Sequence, residues 1–381
     1  MAHIVLDLRW VRSQTLDGIA RVSLSYTAEL LRTPKHEYTL LFENKSHQAF
    51  CLHWIKAYNP TPLCSSFRTV ICGYDARSFK NRFLLRRQLQ TLQPDLYFSF
   101  YYIFHRMPGV NLAMVHDLTP LRYPEYFKQA SLLFRTLLCS RKGLKGLLKQ
   151  ADFLITVSHH THKDIVALLP HYDSKVFVNP LAAAPNTPVA LKDCARLQHI
   201  TSPFILQVGR ADPHKNQRGL LSAYGLLDNT LRKQYALVFA GPTDERYTPQ
   251  LRAQAKTQQI SERIHFTDAL SNTELNALYQ AATLMVMPSY YEGFGLPVLE
   301  AMRNGTPSLL AKRSSLPEVG GEAAYYTDPE DPRAMAEAIT HLLRSPEERA
   351  RLSAAGRQRS AHFSWSLTRT RFLDVLEQIL H

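Results

Sequence analysis

The sequence predicts an α/β protein of two successive halves, each a doubly wound parallel sheet covered by helices. Three observations predict it. Short, near-continuous apolar runs alternate with amphipathic stretches along the chain, the pattern of strands buried on both faces. The two halves share that alternation, and no short-period repeat interrupts it. The length, 381 residues, suits two domains of roughly 100–200 residues each.

In the first half, HIVLDL at 3–8 reads as a strand and GIARVSLSYTAELLR at 18–32 as a helix, with Ile19, Val22, Tyr26 and Leu30 on one face. Further strands are expected at 38–42, 95–100, 111–115 and 153–157. The stretch 181–202 has small residues, prolines and no periodicity, and reads as a linker. Beyond it, strands are expected at 204–208, 236–240, 263–266, 283–287 and 308–310. Residues 363–380 read as a helix with no strand after it. The expected division is therefore an N-terminal domain at 1–180, a linker at 181–202, a C-terminal domain at 203–362 and a terminal helix at 363–381.

Composition narrows the function classes. With 45% hydrophobic and 20% charged residues, the chain is not of the disordered class. No run of about 18 apolar residues indicates a spanning helix. Met1 leads directly into an apolar strand rather than a secretory leader, so a cytoplasmic location is expected. The cysteines Cys51, Cys64, Cys72, Cys139 and Cys194 are scattered, odd in number and form no CxxC, which argues against a disulfide framework or a four-cysteine zinc site. The net charge of +13 is concentrated in residues 1–190, which hold 23 Lys+Arg against 12 Asp+Glu. An anionic partner of that half, such as nucleic acid, phosphorylated lipid or a membrane surface, is implied.

The most informative segment is PSYYEGFGLPVLEAMRNG at 288–305. Pro297 fits the first helical position and Gly305 the position just past the helix end. Gly293 and Gly295 leave the preceding loop room for a ligand, and the helix start offers amides and a positive dipole end to an anion. Glu292, in the loop, and Glu300, expected in the first helical turn, bracket that anion site. Carboxylates there suit hydroxyls on either side of a phosphate, the layout of a nucleoside diphosphate sugar. A plain loop charge and an ordinary acidic helix residue are the simpler alternative.

VGRADPHKN at 208–216 is a strand-to-helix turn in which Arg210 and Lys215 can flank a pyrophosphate. MVHDLTP at 114–120 places His116 and Asp117 after a buried strand, where ligands of such folds lie; His116 can bind a sugar hydroxyl or handle a proton, or be structural. Gly18 opens the first helix, where the backbone can approach a phosphate.

On these residues the chain resembles the family 4 retaining glycosyltransferases of GT-B fold, in particular bacterial mannosyltransferase-like members. Glu292 and Glu300 match the family's two glutamates separated by seven residues, within PSYYEGFGLPVLEAM and followed by GTPSLLAKRSSLPEVGGEAAYYTDPED. VGRADPHKN is similar to its donor-phosphate turn, VHDLTPLRYPE to its N-domain histidine segment, and ADFLITVSHHTHKDI to the stretch before its interdomain crossing. The resemblance implies two Rossmann-like domains facing across a cleft, with the acceptor on the first and the nucleotide sugar on the second. It further implies that Arg210 and Lys215 bind the diphosphate, Glu292 the transferred sugar and Glu300 the ribose. Gly209 belongs to the phosphate turn. Phe294, Gly295 and Leu296 would offer backbone contacts, His116 would reach the sugar, Gly18 would sit by the diphosphate, and Asp268 would lie near the nucleobase. Three departures stand out: Ala20 in place of a second glycine in the first loop, Asn179-Pro180-Leu181 in place of Asn-Gly, and His159, His160 and His162 after Ser158.

The expected activity is transfer of a hexose, mannose by preference, from a nucleoside diphosphate sugar to a glycan or lipid-linked acceptor in surface polysaccharide or lipopolysaccharide synthesis, with no metal or other cofactor. GDP-mannose is the favoured donor. Two basic segments, RSFKNRFLLRR at 77–87 and Lys128–Lys149 with Leu133, Leu137, Leu144 and Leu148 interleaved, suggest peripheral binding of an amphipathic basic helix to the inner face of the cytoplasmic membrane. A nucleotide-sugar 2-epimerase or another GT-B enzyme is the alternative. A nucleic-acid-binding protein is more remote, since no helix-turn-helix, zinc finger or aromatic RNA motif is present.

Overall fold

The computed structural model describes residues 1–12, 17–33, 35–58, 63, 66–184, 188–201 and 203–380. It divides into two compact units, Met1–Leu181 with Trp365–His381, and Ala182–Ser364.

The first unit holds a seven-stranded sheet of β1 (His3–Asp7), β2 (Glu37–Phe42), β3 (Phe67–Ile71), β4 (Leu96–Ser99), β5 (Val110–Val115), β6 (Phe153–Thr156) and β7 (Val176–Val178). Their order is β3-β2-β1-β4-β5-β6-β7, and every pairing is parallel. The second unit holds β8 (Phe204–Val208), β9 (Ala236–Ala240), β10 (Ile264–Phe266), β11 (Leu284–Met287), β12 (Ser308–Ala311) and β13 (Tyr325–Thr327). Their order is β10-β9-β8-β11-β12-β13, again all parallel. In each sheet the order reverses once, between β1 and β4 and between β8 and β11. Such switch points open a crevice beyond the carboxyl ends of the strands.

The apolar runs became the central strands because those strands are covered on both faces. In the second unit Ile205, Leu237, Leu284 and Val286 meet Leu220, Tyr224, Met335 and Ile339 from the helices Gln217–Leu226 and Pro332–Arg344. Three strands were not anticipated. β3 is a largely exposed edge strand of mixed sequence, FRTVI, and β7 and β13 are three residues long.

The helix Trp365–Leu380 covers one face of the first sheet. Phe372, fully buried, lies 5.1 Å from the ring of Tyr26 and 5.0 Å from that of Phe98. The Asn179 amide donates to the Thr368 carbonyl at 3.0 Å and to the Tyr26 hydroxyl.

Two expectations are corrected. Residues 182–202, read as a linker, belong with the second unit, apart from 185–187 and 202, which fall outside the described residues. They carry two short 3-10 turns, bury Leu197 and Ile200, and tie Arg196 to the Ala269 carbonyl at 3.0 Å. The basic stretch 128–149 is not one helix. It breaks into Leu132–Leu138 and Arg141–Leu148, because the Ser140 hydroxyl caps the second helix by accepting from the Gly143 amide at 3.1 Å. Leu144 and Leu148 enter the core, while Leu132 and Leu133 remain exposed.

Candidate active site

The two loops of the second unit's switch point meet directly. The Tyr290 amide, after β11, donates to the His214 carbonyl, after β8, at 2.8 Å. The Gln207 side chain, in β8, donates to the Lys215 carbonyl at 2.7 Å. These bonds fix Lys215 against the β11 loop. Its ammonium donates to both carboxylate oxygens of Glu292, at 2.7 and 2.8 Å. The pair is largely buried, with side-chain exposures of 18% and 9%. Gly209 lies over the Lys215 stem: a Cβ there would stand 3.6 Å from Lys215 Cδ and Cε.

The Glu292 loop is fixed from the next connection. The Ser314 hydroxyl accepts from the Glu292 amide at 3.0 Å, and the buried Ser315 hydroxyl reaches the carbonyls of Glu292 and Phe294 at 3.0 and 2.8 Å. Phe294 is buried, its ring edge-on to Phe363 at 5.9 Å. Gly295 then turns the chain at φ +110 and serves as the N-cap of the helix Leu296–Asn304. No side chain caps that helix. By contrast Asn216, Ser271 and Asp331 each cap their own helices with a side-chain oxygen. The amides of the uncapped first turn face the loop with the positive end of the helix dipole. Two positions differ from the sequence reading. Leu296 precedes Pro297 in the helix, so Pro297 is not the first helical residue, and Glu300 lies beyond the first turn.

Glu300 is nearly buried and accepts from the Tyr279 hydroxyl at 2.9 Å. Arg210 is not drawn into the Lys215–Glu292 pair; it is exposed and donates to Asp212 at 2.9 Å. Asp268 lies on the loop after β10. Its carboxylate accepts from the Thr243 hydroxyl at 2.6 Å and the Thr243 amide at 3.2 Å, and these bonds hold it below the usual carboxylate range. The Gly241–Asp268 bridge joins that loop to the end of β9.

Two of the expected residues lie in the first unit. His116 follows β5, and its Nε2 lies 2.9 Å from the Phe100 carbonyl. A carbonyl only accepts, so Nε2 carries the proton and Nδ1 is left as an acceptor. Burial lowers the imidazole pKa, outweighing the Phe100 carbonyl and the carboxylates of Asp117 and Asp17, so the ring is neutral near pH 7. Gly18 opens the helix Gly18–Leu30 behind Asp17, whose carboxylate caps the helix by accepting from the Ala20 amide at 2.9 Å. A Cβ on Gly18 meets nothing within 4 Å, so packing among the described residues does not require a glycine there.

Sequence reasoning missed Tyr279, Thr243, Gly241, Ser314 and Ser315. Tyr279 meets Glu300 across two helices 21 positions apart, a contact that no local spacing signals. Among the described residues no group of three His, Cys, Asp or Glu could hold a metal ion. His160 and His162 face different carboxylates, Asp164 and Asp173.

A turn bearing Arg210 and Lys215 and a loop bearing Glu292, side by side at the switch point of a doubly wound unit, suit a glycosyltransferase of GT-B fold. Solved structures agree on the fold. HepE of Anabaena, crystallised with UDP and glucose, has a TM-score of 0.74 at 14% identity, covering 99% of this chain and 100% of that one. WaaG, a glycosyltransferase involved in lipopolysaccharide biosynthesis, has a TM-score of 0.68 at 17% identity over 98% and 99%. The model of the glycosyl transferases group 1 family matches residues 196–359. O-antigen chain mannosyltransferase B of Escherichia coli is 30% identical over 282 residues, 72% of this chain and 72% of that protein. The serotype-specific mannosyltransferase WbdA of Escherichia coli is 28% identical over 269 residues, 69% of this chain but only 32% of that protein. The chain belongs to the glycosyl transferases group 1 family and is a glycosyltransferase of the mannosyltransferase type.

Proposed function

We propose that this enzyme transfers mannose from GDP-mannose, with retention of anomeric configuration and without a metal ion, to a glycan or lipid-linked acceptor in surface polysaccharide synthesis. The observation that carries the reading is the Lys215–Glu292 pair beside the uncapped start of the helix Leu296–Asn304. Glu292 alone would repel a diphosphate. With Lys215 on both its oxygens the local charge is near zero, and the helix amides and the Arg210 guanidinium supply the net attraction.

In the reaction, an acceptor hydroxyl oxygen forms a bond to C1 of the sugar as the bond from C1 to the β-phosphate oxygen breaks. The acceptor proton passes to a departing phosphate oxygen on the same face. Negative charge builds on that phosphate. Lys215, Arg210 and the amides of Gly295 and Leu296 are assigned to stabilise that charge. Glu292 holds hydroxyls of the transferred sugar, Glu300 holds the ribose, Gly209 leaves room for the phosphates and Asp268 lies at the nucleobase end. Gly18, in the first unit, is assigned to the diphosphate. His116, neutral with Nδ1 as an acceptor, takes a hydrogen bond from a sugar hydroxyl. The named activities of the mannosyltransferase relatives favour mannose.

The protein is assigned to the cytoplasmic side of the membrane, held there by the first unit's basic surface. The exposed Leu132 and Leu133 stand among Lys128, Arg135, Arg141 and Lys142. No helix among the described residues is long and apolar enough to cross a membrane. Cosedimentation with anionic vesicles at low salt, lost at high salt, is the expected result; recovery in the supernatant under both conditions rejects the membrane assignment.

The decisive experiment is a thermal-shift series with GDP-, UDP-, dTDP- and ADP-sugars, followed by product analysis with the donor that stabilises the protein. GDP-mannose should stabilise it most and yield an α-mannoside. Stabilisation by none of them rejects the donor site. Release of a free, epimerised sugar would point to the epimerase class instead.

A further inference from the structure

Two residues beside the Lys215–Glu292 pair hold a backbone conformation that favours glycine. Asn216, next in the chain to Lys215, has φ +54. Ser314, whose hydroxyl accepts from the Glu292 amide at 3.0 Å, has φ +52. A Cβ makes that conformation costly, more so for serine than for asparagine. Such outliers persist where the surrounding bonds over-determine them, and they collect at functional sites.

The surrounding bonds converge on one short turn. Asp328, Pro329 and Glu330 follow β13, and the Asp331 amide closes the turn on the Asp328 carbonyl at 3.3 Å. From one side, the side-chain amide of the buried Asn216 donates to the Pro329 carbonyl at 2.7 Å. Its Oδ1 accepts from the Gly219 amide at 3.1 Å, so the side chain is fixed through both of its polar atoms. From the other side Arg313, adjacent to Ser314, donates to Glu330 at 2.8 Å and lies 3.5 Å from the Asp328 carboxylate. The Lys312 amide donates to the Thr327 carbonyl at 3.1 Å, just before the turn. One turn thus holds both the residue that follows Lys215 and the residue that caps Glu292. The two connections leave β8 and β12, the neighbours of β11 in the sheet, and the Glu292 loop leaves β11 itself.

We propose that Asn216, Ser314 and the turn at 328–330 form one positioning clasp, which sets the Lys215–Glu292 pair in place before substrate arrives. Its part in catalysis rests on reading that pair as donor-binding. Asn216 and Ser314 are positioning residues: they act on Lys215 and Glu292 through the backbone and touch no reacting atom. A cation and an acid held in advance need no rearrangement as charge develops, which is where preorganised groups gain their effect. The strain at Ser314 then has a cause. Glycine would fit the backbone at 314 more easily, but it offers the Glu292 amide no acceptor.

Amide hydrogen exchange at Glu292, on the ligand-free full chain, tests the clasp independently of any donor. Ser314→Gly should speed that exchange roughly tenfold or more. Asn216→Ser keeps an oxygen for the Gly219 amide but lacks the donor to Pro329, and it should speed exchange at Glu292 as well. The double variant should fall short of the product of the two effects, as residues of one network do. Unchanged exchange in Asn216→Ser, or a double variant equal to the product, overturns the clasp. Turnover is measured on the same variants with the nucleotide sugar that wild type uses. Ser314→Gly should lower kcat roughly tenfold with little change in donor KM. Its thermal midpoint should lie above that of Ser314→Ala, which keeps the strain and also lacks the hydroxyl. Faster exchange with wild-type kcat overturns the positioning role, and a midpoint below that of Ser314→Ala overturns the strain at 314. Should wild type turn over none of the GDP-, UDP-, dTDP- and ADP-sugars, the donor reading falls and exchange alone decides the clasp.

Discussion

At the scale of single residues, the Lys215–Glu292 pair concentrates two duties. In the proposed mechanism Lys215 neutralises Glu292, assigned to the transferred sugar, and presents a cation to the leaving group. Lys215→Ala should lower kcat/KM by roughly 10²–10³-fold, about 3–4 kcal/mol, the cost of removing a preorganised donor. Arg210 is exposed and shared with Asp212, so Arg210→Ala should fall at the lower end of ~2–4 kcal/mol. Near-normal kcat/KM in both variants would remove the diphosphate from this turn. For His116 the Phe100 contact requires protonation at Nε2. Nitrogen-15 shifts of the imidazole near neutral pH should report that tautomer; the Nδ1-protonated form would invalidate its role as an acceptor through Nδ1.

At the scale of elements, two glycines fix the course of the loops at the switch point of the second sheet. Gly295 holds φ +110, and a Cβ there would press on Leu316 Cδ2 at 3.1 Å. Gly241 holds φ +138, and its Cβ would strike the Gly209 carbonyl oxygen at 2.8 Å. A side chain can swing aside; a neighbouring backbone cannot. Gly295→Ala should cost about 1–3 kcal/mol, and Gly241→Ala more, visible as a larger drop in thermal midpoint. The reverse order would mean that the β8 and β9 loops separate easily. The central strands were legible in the sequence because burial on both faces makes them continuously apolar. The Gly295 elbow was legible because glycine and proline flank it. Tyr279, Thr243 and the Ser314–Ser315 support were not, since each acts through a partner distant in sequence. The single basic helix expected at 128–149 failed on Ser140, whose capping oxygen offers the backbone a better partner than continuation.

At the scale of the molecule, partly buried imidazoles make the fold less stable as the pH falls. His36, His47, His116 and His265 all have pKa values lowered from 6.5, chiefly by burial. A folded-state value below the unfolded one means that the unfolded chain binds more protons as pH falls. This contribution is thus fully present above about pH 6.5 and is lost as the pH drops through the lowered values. Thermal midpoints should be flat from pH 8 to 7 and decline below 6.5. A midpoint that rises on acidification would contradict the burial of these rings. Phe372, which anchors the terminal helix on the first sheet, should cost about 3–5 kcal/mol when cut to alanine, measured by denaturant unfolding.

That helix also imposes a schedule. Its residues, 365–380, emerge from the ribosome about 180 residues after Leu181. At ~5–20 residues per second, the nascent first unit waits roughly ten to forty seconds with the aromatic face of Tyr26, Phe98 and Phe100 uncovered. The second unit, contiguous from Ala182 to Ser364, is complete before its predecessor can be. During biosynthesis the later-made half is finished first, and the earlier one is completed only when the helix at 365–380 arrives.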